Sequence, residues 1–158
     1  MTYNLIILSF QIILGIFYIF TFSKIQQNFF KSFTCPKNNA LVILFISSII
    51  SSSINLIHIS DAVTDVMLFF LKQNNFLKGL FYAFCFFTGA LFFSILFFRI
   101  SFLVVGLLTP ENEHDELNKN NKEIAWLHAC VLLTLSFIIA PVLNNLAVSF
   151  IPYPKLPF

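Results

Sequence analysis

Residues 109–122 read TPENEHDELNKNNK, and this stretch decides the architecture. It contains Glu111, Glu113, Asp115 and Glu116, and Glu123 follows at once, so five of the chain's seven acids fall here. Apolar runs flank it, residues 80–108 before and 125–151 after. Charge this dense cannot sit in hydrocarbon, whereas either flanking run is long enough to cross a bilayer. The stretch therefore reads as a water-facing polar loop, residues 109–124, joining two membrane helices.

Composition points the same way. Of 158 residues, 58% are hydrophobic and only 10% charged, against roughly 25% charged in soluble domains. So few charges cannot cover a globular surface, and most of the exterior must face lipid. The expectation is an integral membrane protein, one domain over residues 1–158, with the lipid bilayer as its first partner. A net charge of +2 gives no basis for nucleic-acid binding. The 23 phenylalanines fit either an AT-rich genome or a surface selected for aromatic packing. Three cysteines without a CxxC spacing give no disulfide framework, no zinc site and no close thiol pair for redox chemistry.

Working outward, four spans are expected at about residues 5–22, 40–59, 80–100 and 125–146, an all-α bundle. The first lacks a basic start and a small-residue cleavage site, so it reads as a retained helix. Gln11 within it should face another helix, because an amide in lipid is costly. Residues 24–39 form a basic loop carrying Lys24, Lys31 and Lys37, with Phe29, Phe30 and Phe33 against the interface. Pro36 breaks the helix there, and Asn38 or Asn39 can cap the next one.

The second span carries Ser47, Ser51 and Asn55, and the fourth ends near Asn144 and Asn145. Small and polar residues let helices approach and bond to each other, so these five are the candidate polar interior. They serve either as packing contacts or as the lining of a water path. Residues 60–72 read as a short amphipathic helix at the interface or as a continuation of span two. Arg99 is the only charge in residues 80–108. Insertion energetics of about +2.5 to +3.5 kcal/mol favour it at the interface over mid-membrane, where it would be a functional candidate. Trp126 fits an interfacial anchor. Pro141 frees the carbonyl of Phe137 and should kink its helix, and residues 152–158 form a non-helical tail.

The acids Glu111, Glu113, Asp115 and Glu116 form a candidate loop patch. They are either the acidic start of a short capped helix, favoured by its dipole, or a docking or cation-binding surface. His58 and His128 lie at opposite ends of spans running the same way, which excludes a shared haem iron. No nucleophile–base spacing, phosphate loop or metal cluster is visible, so no catalytic residue, metal or cofactor is assigned and an enzyme is not expected.

The two halves follow one pattern: span, polar loop ending in lysine and paired asparagine, span. Lys37-Asn38-Asn39-Ala40 is answered by Lys119-Asn120-Asn121 and then Ala125, which suggests two repeated helical hairpins. With Leu108-Thr109-Pro110-Glu111-Asn112-Glu113 and Pro141, the second half resembles the small bacterial inner-membrane proteins typified by YjfL. The match covers about 40 residues. The chain departs from that pattern by an insertion between Glu113 and the asparagines and by missing glycines in the following helix. The resemblance implies paired-span repeats and a bacterial inner-membrane location, not an activity.

Five lysines in residues 24–39 and 109–124 against Lys72, Lys78 and Lys155 elsewhere place both loops in the cytoplasm and both termini outside. The expected role is an oligomeric subunit or scaffold of a membrane complex, either a homo-oligomer or joined to other subunits. The alternatives are a small channel or pore-forming effector lined by Ser47, Ser51, Asn55 and Asn144, and an accessory subunit of an energy-transducing complex.

Overall fold

The computed structural model describes residues 2–31, 38–109 and 112–152. Among these residues five helices follow in order: α1 (Thr2–Phe30), α2 (Asn39–Lys72), α3 (Phe76–Leu108), α4 (Glu113–Asn118) and α5 (Lys122–Ser149). The fold is all-α, and α1, α2, α3 and α5 are each long and apolar enough to cross a membrane. At ~1.5 Å per residue α2 measures about 51 Å and α3 about 50 Å. Both exceed the ~30 Å hydrocarbon layer, so their ends reach past it.

At residues 60–72 and in the polar stretch the structure takes one of the two expected readings, and at residues 24–30 it departs from the expected loop. Residues 60–72 continue α2 without a break, because Ala62, Val63, Val66 and Met67 are fully buried while Asp61 and Asp65 turn outward. Residues 24–30, expected as loop, continue α1. Gln26 is buried there, and the Phe29 ring packs edge-on against Phe98 and Phe102. Within the polar stretch, six residues form α4. Phe33, Cys35, Pro36, Lys37, Pro110, Glu111 and the tail from residue 153 lie outside the described residues.

The turns are built by asparagine. Asn74 and Asn120 adopt φ of 54° and 63°, a left-handed conformation that asparagine tolerates better than most side chains. After α2, the Asn75 N–H bonds to the Phe70 carbonyl and the Asn74 N–H to that of Leu71. After α4, Asn121 bonds to Glu116 and Asn120 to Leu117 in the same way. Both are Schellman endings, which satisfy carbonyls that a helix C-terminus would otherwise orphan. Asn38 caps α2, Asn112 caps α4 and Asn121 caps α5, each accepting from backbone N–H groups of the first turn.

Packing centres on α2. It runs parallel to α5 along the most extensive interface of the molecule and antiparallel to α1 and α3. Ala40, Ser47 and Ser51 of α2 and Ala125, Ala129, Ser136 and Ala140 of α5 lie on the buried stripes of this pair. Small side chains let the two backbones approach, which is how helices gain contact when lipid supplies no hydrophobic drive between them. α5 continues through Pro141, whose ring faces outward. α1 buries one stripe, Ile7, Tyr18, Phe22 and Gln26, and exposes Leu5, Ile12, Ile13, Ile16 and Phe20. A helix apolar all round suits a place between protein and lipid.

Candidate functional site

Two polar groups of side chains sit inside this apolar frame. The first lies halfway along the bundle. The Tyr18 hydroxyl lies 2.7 Å from Ser94 Oγ and within 3.4 Å of the carbonyls of Ala90 and Ser52. Asn55 Nδ2 donates to the same Ser94 Oγ at 2.9 Å. Ser51 and Ser136 bond hydroxyl to hydroxyl across the α2–α5 seam. One and a half turns away, Gln11 Nε2 donates to the Ser60 carbonyl at 2.9 Å and to Thr64 Oγ1 at 2.8 Å. These bonds tie α1, α2, α3 and α5 together. Each would leave a desolvated polar group if broken.

Of the expected polar interior, Ser47, Ser51 and Asn55 are buried, and Ser47 bonds back to its own helix at the Leu44 carbonyl. Asn144 is half-buried with its Oδ1 enclosed, and Asn145 points outward, contrary to expectation. The reason is helical phase: Leu143 and Ala147 define the inward stripe, and Asn145 falls on the opposite side. Ser52 Oγ, Asn55 Oδ1 and Asn144 Oδ1 are enclosed without a partner among the described residues. Sequence reasoning missed Tyr18 and Ser94. The available signal was Gln11, Tyr18 and Gln26 recurring at helical spacing on an otherwise oily helix.

The second group sits at the end where α4 folds back. Asn112 caps α4, so Glu113 occupies its first turn, and its side chain reaches in between α3 and α5. One carboxylate oxygen lies 2.9 Å from Nε2 of His128, which is fully buried. The approach is close but off the hydrogen-bonding direction, so neither ring nitrogen gains a well-aligned partner. The Phe102 ring lies against the imidazole with centroids 4.3 Å apart. The other Glu113 oxygen occupies the space beside Gly106, where an added Cβ would come within 2.5 Å of it. Burial raises the Glu113 carboxyl above its ordinary value, because the carboxylate loses hydration.

α4 is also tied to the first hairpin. Asn38 Nδ2 donates to the Leu117 carbonyl, and Asn120 Oδ1 accepts from the Ala40 N–H at 3.0 Å. Glu116 accepts from Asn121 Nδ2 at 2.9 Å and from Lys119 at 2.7 Å, and these bonds hold its carboxyl below the usual range. The expected acidic patch is thus divided. Glu113 turns inward, Glu116 braces the turn, and Asp115 faces out. Glu111 lies outside the described residues.

Arg99 is exposed on α3, its guanidinium 4.8 Å from the centre of the Phe29 ring. The Ser51–Ser136 pairing sets His58 level with the Leu143 region, roughly 22 Å from His128 at ~1.5 Å per residue. Among the described residues no group of three metal-ligating side chains comes together. Cys85 and Cys130 are free and exposed.

Compared with curated proteins and with solved structures, the chain matches none. A family model matches residues 2–143, from the first turn of α1 through most of α5. On that match the chain belongs to the family described as Domain of Unknown Function (DUF350).

Proposed function

We propose that this protein is a non-enzymatic, oligomeric subunit or scaffold of a bacterial inner membrane, of the YjfL type, with α4 on the cytoplasmic side and both termini outside. One observation carries the reading: Arg99, Asp61 and Asp65 lie on outward faces, closer together along the bundle than a hydrocarbon layer is thick. The Asn55–Ser94 bond sets the register of α2 against α3, so Arg99 lies near the level of Ile50. Asp61 and Asp65 face outward farther along α2. From the level of Arg99 to Asp61 the charge-free band is roughly 16 Å at ~1.5 Å per residue. A hydrocarbon layer of ~30 Å is thicker than that. Arginine can snorkel toward the headgroups, but a short aspartate side chain reaches far less. A second copy or another subunit covering α2 between α1 and α5 would take these carboxylates out of lipid.

The channel alternative has less support. Ser51 and Asn55, two of the four side chains that would line a conduit, bond to neighbouring helices of the same protomer. Size in a mild detergent tests the proposal. Particles larger than one 18.1 kDa chain, dispersed by Asp61→Lys, are expected. A monodisperse monomer that conducts ions in liposomes would overturn it.

A further inference from the structure

Between the first half of α3 and the last turns of α5 lies a groove of about 420 Å³. Phe81, Cys85 and Gly89 line it on α3, Leu146 on α5 and Phe150 just past its end, and Ile59 of α2 forms the floor. Gly89 opens it: a Cβ built there would meet nothing within 4 Å. The glycine is therefore not one that lets two backbones touch, and the space beside it is available to a guest.

Two further observations say which guest fits. From Phe81 to Phe93, both on the groove, α3 advances roughly 18 Å at ~1.5 Å per residue. One leaflet of a ~30 Å hydrocarbon layer is about 15 Å deep. The groove therefore has the length of an acyl chain in one leaflet. At its α2–α3 end stands Lys78, exposed and without an ion pair among the described residues. Lys78 precedes Phe81 and Tyr82 by three and four residues, so it shares their helix face and stands at the mouth.

We propose that the groove seats one acyl chain of an anionic phospholipid, with the headgroup held at Lys78. An apolar channel of leaflet depth under a free ammonium is complementary to that amphiphile at both ends. The site does not depend on the subunit reading above, since a monomer could hold the lipid equally well.

Full-length protein, delipidated in detergent and exposed to vesicles of equal phosphatidylglycerol and phosphatidylcholine, provides the test, with retained lipid read by native mass spectrometry. Wild type should retain phosphatidylglycerol preferentially. Lys78→Gln should lower that preference about fivefold, the worth of one lysine at an anionic membrane surface. Gly89→Leu, which fills the groove and favours helix, should lose retained lipid of both kinds. Unchanged retention in Gly89→Leu would overturn the proposal. A check free of variants uses the native thiols: phosphatidylglycerol should slow maleimide labelling of Cys85, in the groove, and leave Cys130, outside it, unaffected. Equal protection of both, or oxidative cross-linking of Cys85 to a second copy, would assign the groove to another occupant.

Discussion

Gly106 leaves the space that the Glu113 carboxylate occupies, and His128 lies at the carboxylate's other oxygen. Replacing Gly106 by alanine should help α3 as a helix by up to ~1 kcal/mol, yet push the carboxylate off. The expected result is an unchanged or higher melting temperature with faster amide exchange in α4. The pH dependence follows from the raised Glu113 carboxyl. Docked α4 binds a proton more readily than undocked α4, so docking is favoured at low pH. It weakens as pH climbs from the ordinary glutamate value of ~4.3 through the raised one. Amide exchange in α4, corrected for its intrinsic rate, should show protection falling across that window, and Glu113→Gln should abolish that fall. Protection that rises with pH would contradict this. Little of this group was legible in the sequence. Glu113, His128 and Gly106 stand on three different helices, and only tertiary folding brings them together.

At the scale of the helix, the asparagine caps and the Tyr18 bond can be weighed. Asn38→Ala should cost about 1 kcal/mol for the cap and more for the lost bond to the Leu117 carbonyl. Neighbouring Asn39, exposed on the first turn, serves as a near-neutral control in the same thermal melts in detergent. Tyr18→Phe should cost about 0.6 kcal/mol and at most about 1.7, the range for interhelical hydrogen bonds in membranes. A cost near zero would mean that α1 is held by its apolar contacts and the Gln11 bonds. The four long helices were readable because hydrocarbon demands a long apolar run and leaves a plain mark. Their ends were not. Residues 60–72 fit a separate interfacial helix as well as a continuation of α2, until helical phase puts Asp61 and Asp65 outside and Ala62, Val63 and Val66 inside. Lys24 and Gln26 hid the continuation of α1 in the same way. Asn145 was misplaced because neighbouring asparagines were given one face when a helix assigns them two.

For the molecule as a whole, α2 is the shared wall on which α1, α3 and α5 pack, and α4 staples one end by reaching both hairpins. Composition alone announced a lipid-facing exterior, since so few charges cannot cover a soluble surface. The proposed cover over the outward carboxylates of α2 is not legible in one chain, because a partner carries the complementary residues on its own surface. The central claim is that the four long helices cross a bilayer with α4 in water on one side and the α2–α3 turn in water on the other. Single cysteines at Asp115 and Gln73, in a chain otherwise free of cysteine, test it in sealed vesicles with a membrane-impermeant maleimide. One should label at once and the other only after the vesicles are opened. Labelling of both from the same side, or an Asp115→Cys that stays unreactive in opened vesicles, would contradict it.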